Sequence, residues 1–139
     1  MLYLSYGSNL NLEQMKIRCP KATPIRKLLV PNFRLVFRGV ADIEQMDGYK
    51  CPMGLWKITD DCEKKLDAYE GFPNLYSKMY FKIKGELAMT YVMNTNRISP
   101  PNSHYFDVIK KGYEDFNLDK SYLYKARQKS ISESYYTNL

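Results

Sequence analysis

Tyr6-Gly7-Ser8-Asn9-Leu10 stands where an apolar run ends and a helical pattern begins. A turn at such a junction leaves main-chain N–H groups unpaired at the helix start, where the helix dipole favours an anion. Gly7 allows a ligand close to the main chain, and Ser8 and Asn9 add short polar groups suited to a carboxylate or an amide. A plain strand–turn–helix link has the same composition, so this segment marks only an anion-site candidate. A second segment, Leu66-Asp67-Ala68-Tyr69-Glu70-Gly71-Phe72-Pro73-Asn74-Leu75-Tyr76, places the Glu70 carboxylate at a helix end among apolar and aromatic neighbours. The negative end of the dipole and withdrawal from water both oppose ionisation, which raises a carboxyl pKa. Such a carboxyl can take a proton from an ammonium group near neutral pH. A solvent-facing glutamate at a helix end has the same sequence appearance. The third segment, Pro100-Pro101-Asn102-Ser103-His104-Tyr105, opens a late helix. The Tyr105 phenol there either bridges an apolar pocket and a carboxylate or packs with its hydroxyl at the surface.

The elements that must position these groups follow from periodicity and turn chemistry. Residues 2–6 read as a short buried strand ending at Gly7. Asn11 reads as the N-cap of a helix carrying Leu12, Met15 and Ile17, stopped by Pro20. Residues 25–30 and 33–38 read as two strands broken at Pro31, and Asp47-Gly48 as a hairpin tip between 40–43 and 53–58. Thr59 or Asp60 caps a helix over 61–69 with Cys62, Leu66 and Tyr69 on one side, and Gly71 is its left-handed C-terminal residue. Strands follow over 76–84 and 87–93, joined at Gly85. A polar loop spans 94–102, and a helix runs from about 104 to 116 with Tyr105, Val108, Ile109, Gly112 and Tyr113 near one stripe. The tail after Tyr124 has weak periodicity and is expected to fray or fold back as a short helix. The fold class is α+β, in one domain over 1–125 followed by a tail over 126–139.

Composition removes several classes. The 139 residues, 45% hydrophobic and 26% charged, suffice for one core. No apolar run reaches the roughly 18–20 residues of a membrane span. The first residues lack the basic and long apolar regions of a signal peptide, so a cytoplasmic protein is expected. Cys19, Cys51 and Cys62 are odd in number and widely spaced, and His104 is the single histidine. Metal ligation is therefore not expected, and the cysteines read as reduced, packed thiols. The net charge of +6 is concentrated early, with seven Lys/Arg against Glu13 alone in residues 1–40. No nucleic-acid recognition pattern accompanies it, so a solvated face that attracts anionic metabolites is expected, without nucleic acid. His104 reads as a surface residue.

Taken together, Tyr6-Gly7-Ser8-Asn9-Leu10, Leu66-Asp67-Ala68-Tyr69-Glu70-Gly71 with the following Tyr76, and Tyr105-Phe106-Asp107-Val108-Ile109-Lys110-Lys111-Gly112 resemble the motifs of the γ-glutamyl cyclotransferase-like superfamily. The resemblance covers about residues 1–125. It implies a small mixed β-barrel with flanking helices and a pocket at its mouth. It also implies a small γ-glutamyl substrate, held by Tyr6, Gly7, Ser8, Asn9, Leu10, Tyr76 and Tyr105. Glu70 would be the general acid and base, and 5-oxoproline the product. No cofactor or metal is implied, and a monomer or a homodimer is compatible. Asn117-Leu118 departs from the pattern, where Gly-Leu is expected, with Tyr122 or Tyr124 as the tyrosine that follows. Specificity is expected from residues 44–52, 94–102 and the tail. The alternatives are a module that binds the same metabolite or a nucleotide without turnover, an enzyme that releases an amine from a γ-glutamylamine or removes a γ-glutamyl protecting group, and a nucleic-acid-associated protein that uses the basic first 40 residues.

Overall fold

The computed structural model describes the backbone of residues 1–137 and the side chains of residues 1–134. Strand β1 (Leu2–Ser5) lies at the centre of a mixed five-stranded sheet of order β2-β3-β1-β5-β4. It pairs antiparallel with β3 (Val40–Lys57) and parallel with β5 (Glu86–Met93). A strand covered on both faces needs apolar groups at successive positions, and Tyr3, Leu4 and Ser5 are all buried. The edge strands are β2 (Thr23–Arg38) and β4 (Tyr76–Ile83). The edge strands are not hydrogen-bonded to each other, so the expected small mixed β-barrel is one only in the loose sense of an open sheet. It nevertheless curls until the Phe33 and Phe81 rings of the two edge strands meet edge-on, with centroids 5.0 Å apart.

The chain reverses between β2 and β3 at Gly39, whose φ of 79° suits a residue without Cβ. The hairpin tip expected at Asp47-Gly48 is therefore elsewhere, and the two strands expected on either side of Pro31 are one. The turn signals at Asn32 and Gly48 form a matched irregularity inside this long hairpin. Pro31 pairs with Lys50 and Phe33 with Gln45, so residues 46–49 bulge opposite Asn32. Asn32 and Gly48 both take positive φ, and the Gly48 N–H donates to Asn32 Oδ1 at 3.2 Å. One irregularity offsets the other, and the strands continue.

Among the described residues, four α-helices flank this sheet. In α1 (Leu12–Arg18) the Asn11 side chain accepts from the Gln14 N–H, as its N-cap position requires. In α2 (Asp60–Glu70) Thr59 caps the start and Gly71, at φ 72°, ends it. Cys62 and Leu66 are buried as expected, but Tyr69 leaves their stripe and is 48% exposed. Helix α3 (Ser103–Asp115) buries Phe106, Ile109, Gly112 and Tyr113. It ends with Asn117 at φ 55° and the Leu118 N–H donating to the Tyr113 carbonyl at 2.7 Å. Asparagine is the side-chain-bearing residue that best tolerates this left-handed position, so the missing glycine costs the backbone little. Helix α4 (Lys120–Thr137) runs through the position where a frayed tail or short helix was expected. Leu123, Ala126 and Ser130 form its buried stripe. Residues 138 and 139 of the expected tail lie outside the described residues. Cys19, Cys51 and Cys62 are buried and free, His104 is exposed, and among the described residues no helix is long and apolar enough to cross a membrane.

Gly112 lets α3 lie directly on the short 3-10 turn Ser8–Leu10, which follows β1. A Cβ at residue 112 would stand 2.6 Å from Leu10 Cβ and 2.7 Å from the Asn11 nitrogen. Gly112→Ala should therefore cost about 1–3 kcal/mol, the usual scale for overpacking a filled site. Urea denaturation measures it; an unchanged midpoint would show that α3 shifts freely off the turn.

Candidate active site

A cavity of about 210 Å³ opens beyond the end of β1. Tyr6, Gly7, Ser8, Asn9, Glu70, Tyr76 and Tyr105 all border it, so three segments far apart in sequence converge on one space. Leu10 does not border it. Its side chain is fully buried against Gly54 and Gly112, where it anchors the turn from below. Tyr69, at 48% exposure, and Leu75, at 62%, form the cavity's open rim. Residues 44–52 and 94–102, from which specificity was expected, do not border it. A space of this size suits a group of amino-acid dimensions and is open at the rim, and it is below the usual range of drug-sized pockets.

Glu70 is the last residue of α2, half-buried at the cavity wall. Loss of water raises its carboxyl pKa from 4.5 to about 7, and the charge of Arg18 opposes this rise without cancelling it. Its hydrogen-bond support is thin: Asn9 Nδ2 donates to Oε1 at 3.4 Å. A carboxyl held this loosely retains oxygen lone pairs for a substrate proton.

The tyrosine hydroxyls bordering the cavity divide by what they have already spent. Tyr6 donates to the Tyr91 carbonyl at 2.5 Å, Tyr76 to the Ala41 carbonyl at 3.1 Å, and Tyr91 to Asp67 Oδ1 at 2.6 Å. Their hydrogens are committed. Tyr105 instead accepts from the Ala41 N–H at 2.9 Å, and Tyr3 accepts from Asn9 Nδ2 at 3.0 Å. Each of these two hydroxyls keeps its own hydrogen to donate. Tyr76 and Tyr105 thus grip both polar groups of Ala41. The next residue, Asp42, is buried and paired with Arg38 at 2.7 Å, and it accepts from the Met93 N–H at 2.9 Å. Gly7 fits this crowded wall because a Cβ there would lie 3.0 Å from Ala41 Cβ and 3.4 Å from the Tyr105 hydroxyl.

Two further residues, Tyr3 and Arg18, were not singled out from the sequence. Arg18 donates to Asn9 Oδ1 at 2.7 Å, which turns the amide so that Nδ2 faces Tyr3 and Glu70. It also donates to the Tyr69 hydroxyl at 2.7 Å and lies 3.7 Å from that ring's centroid, fixing the rim. The signal for Tyr3 was a phenol in a strand read only as buried. Arg18 carried no local signal, being one of seven early basic residues.

Residues 3–113 match the family described as gamma-glutamyl cyclotransferase, AIG2-like. The Homo sapiens protein named gamma-glutamylcyclotransferase is 28% identical, over 98% of this chain and 81% of its own length. The Mus musculus protein of the same name is 26% identical, over 91% of this chain and 77% of its own. A solved structure named gamma-glutamyl cyclotransferase superposes with a TM-score of 0.80 at 25% identity, covering 91% of this chain and 85% of the other.

A carboxyl pKa raised by folding means that the native state holds its proton more tightly between pH 4.5 and about 7. The native state therefore loses stability as pH rises through that window. Glu70→Gln removes the loss: it should exceed the wild type in stability at pH 8 by up to about 3 kcal/mol and match it near pH 4. Urea denaturation of both proteins at the two pH values measures this, and equal stability at pH 8 would contradict the desolvation of Glu70.

Proposed function

The chain belongs to the gamma-glutamyl cyclotransferase, AIG2-like family, and on that premise we propose that it releases 5-oxoproline from a small γ-glutamyl compound, with Glu70 as general base and then general acid. The observation that carries this reading is the Glu70 carboxyl, poised near pH 7 at the wall of an amino-acid-sized cavity. A carboxyl with that pKa is half ionised at neutral pH and can both take and return a proton.

In a γ-glutamyl compound the α-amine lies within reach of its own γ-carbonyl, and its attack closes a five-membered ring. Holding the substrate folded therefore captures the proximity contribution with no second reactant. Glu70 takes a proton from the α-ammonium. The freed nitrogen bonds to the γ-carbon, and the carbonyl oxygen becomes a tetrahedral oxyanion. That oxyanion is stabilised by main-chain N–H groups of the Tyr6–Asn9 segment. The attacking nitrogen then sheds a second proton. As the oxyanion collapses and breaks the original bond from the γ-carbon to nitrogen, Glu70 relays both protons to the departing nitrogen. The ring nitrogen thus keeps one hydrogen, and the amine leaves as an ammonium. Water is neither consumed nor produced, and the reaction calls for no metal or organic cofactor. Tyr105, whose hydrogen is free, donates to the substrate's carboxylate. Tyr76, whose hydrogen is spent on Ala41, shapes the wall and offers only a lone pair. The leaving group, an amino acid, a peptide or an amine, projects past the rim at Tyr69 and Leu75.

A panel of such compounds, assayed for 5-oxoproline, should yield at least one turned-over substrate. Glu70→Gln should lower kcat by at least a thousandfold while still binding it, because the amide keeps the shape and cannot act as a base. Binding across the panel without any 5-oxoproline would instead assign the cavity to a non-catalytic binding module. Tyr105→Phe should raise KM by roughly ten- to a hundredfold, the scale of a hydrogen bond to a charged group; an unchanged KM would remove Tyr105 from substrate binding. Arg18→Met should move the acid limb of the pH–kcat/KM profile to higher pH, since the cation that opposes the rise in the Glu70 pKa is gone. A limb that stays in place would reduce Arg18 to a structural role.

A further inference from the structure

A second concave site, of about 530 Å³, lies between the 46–49 bulge and the first turns of α4. It shares no lining residue with the Glu70 cavity and is the larger of the two. Its chemistry is different. Tyr49 and Tyr122 supply aromatic surface, while Lys50, Lys125 and Lys129 supply positive charge.

The backbone explains why these groups converge. The bulge opposite Asn32 takes Tyr49 out of the regular pairing, Lys50 resumes that pairing opposite Pro31, and both residues are exposed. On α4, Tyr122, Lys125 and Lys129 recur at spacings of three and four, so they share one face beside the buried Leu123, Ala126 and Ser130. Lys129 Nζ donates to the Tyr49 hydroxyl at 2.7 Å and lies 4.8 Å from the ring's centroid, holding that ring at the groove wall.

Positive charge predominates in the groove lining, where Arg34, Lys50, Lys125 and Lys129 stand against Asp119. Arg34 is already engaged by Glu44 at 2.6 Å and Glu133 at 3.2 Å. Asp119, the one acid in the lining, accepts from the Ser121 N–H at 2.9 Å near the start of α4. Lys50, Lys125 and Lys129 form no ion pair among the described residues, apart from the longer-range attraction of Lys125 to Asp119. Three ammonium groups gathered around one concave space repel one another and favour an anion of several charges. Flanking phenol rings favour a flat ring joined to that anion, by stacking. The volume falls within the usual range for a small-molecule site.

We propose that this groove binds a nucleoside di- or triphosphate, with the phosphates among Lys50, Lys125 and Lys129 and the base against Tyr49 and Tyr122. The site is independent of the cyclisation chemistry and stands whether or not Glu70 turns over a substrate.

Amide NMR of the ¹⁵N-labelled full chain, titrated separately with ATP, inorganic tripolyphosphate and a single-stranded oligonucleotide, tests this. ATP should give saturable shifts at residues 48–50 and 119–129, with a Kd below about 1 mM at physiological salt, and none around Glu70. The Lys50→Glu/Lys125→Glu double variant alters two exposed side chains and its own spectrum reports its fold. It should weaken ATP binding at least tenfold, and tripolyphosphate should bind the wild type several-fold more weakly than ATP. Absence of saturable shifts, shifts centred on the Glu70 cavity, or affinity untouched by the double variant would each overturn the proposal. Equal affinity for tripolyphosphate and ATP would overturn it by removing the rings' part. An oligonucleotide that binds more tightly than ATP would overturn it in favour of a nucleic-acid surface.

Discussion

Glu70 sits where an ionised carboxylate is costly: at the C-terminal end of α2, half-withdrawn from water, with one long amide contact for support. Helix dipole and desolvation act in the same direction there. A folded protein gains nothing in stability from such a placement near neutral pH. The rest of the site follows from keeping that carboxyl in place without satisfying it fully. Arg18 lies close enough to moderate the pKa, yet its hydrogen bonds go to Asn9, Gln14 and the Tyr69 hydroxyl, not to the carboxylate. A direct ion pair would hold Glu70 ionised at neutral pH and remove its capacity to return a proton.

The wall opposite Glu70 solves a different problem. Ala41 follows the Gly39 reversal by two residues, a place where a strand end is prone to fray. Two phenols from separate elements, Tyr76 on β4 and Tyr105 on α3, hold its carbonyl and its N–H. Asp42 and Arg38, both nearly inaccessible, pin the next residue. Removing either partner of a buried pair of this kind costs about 3–5 kcal/mol, because the other charge is left unpaired. The hydroxyls that rigidify the wall are thus the same groups that border the cavity. Their hydrogen-bond direction decides which can still serve a substrate.

Local signals in the sequence carried far where the physics is local. The caps at Asn11, Thr59 and Gly71, the turn at Gly85 and the carboxyl at a helix end were legible because each depends on a few neighbouring residues. The β2–β3 hairpin was not. Asn32 and Gly48 each carry a turn signal, but what they form is set by their pairing across the hairpin. Sequence spacing alone does not reveal that one irregularity offsets the other. Leu10 was grouped with its neighbours in a motif, whereas its side chain points to Gly54 and Gly112 in the core. Arg18 and Tyr3 were missed because their partners, Tyr69 and Asn9, come into reach only through tertiary packing.

Everything proposed for the cavity turns on one property of one group, the affinity of the Glu70 carboxyl for a proton. Carbon-13 NMR of the side-chain carboxyls, titrated from pH 3 to 9 and assigned by comparison with Glu70→Gln, reads it directly. A Glu70 midpoint near 7 is the predicted result. A midpoint near the ordinary glutamate value of about 4.3 would mean a solvated or fully paired carboxylate, and would contradict its role as the group that takes and returns the proton.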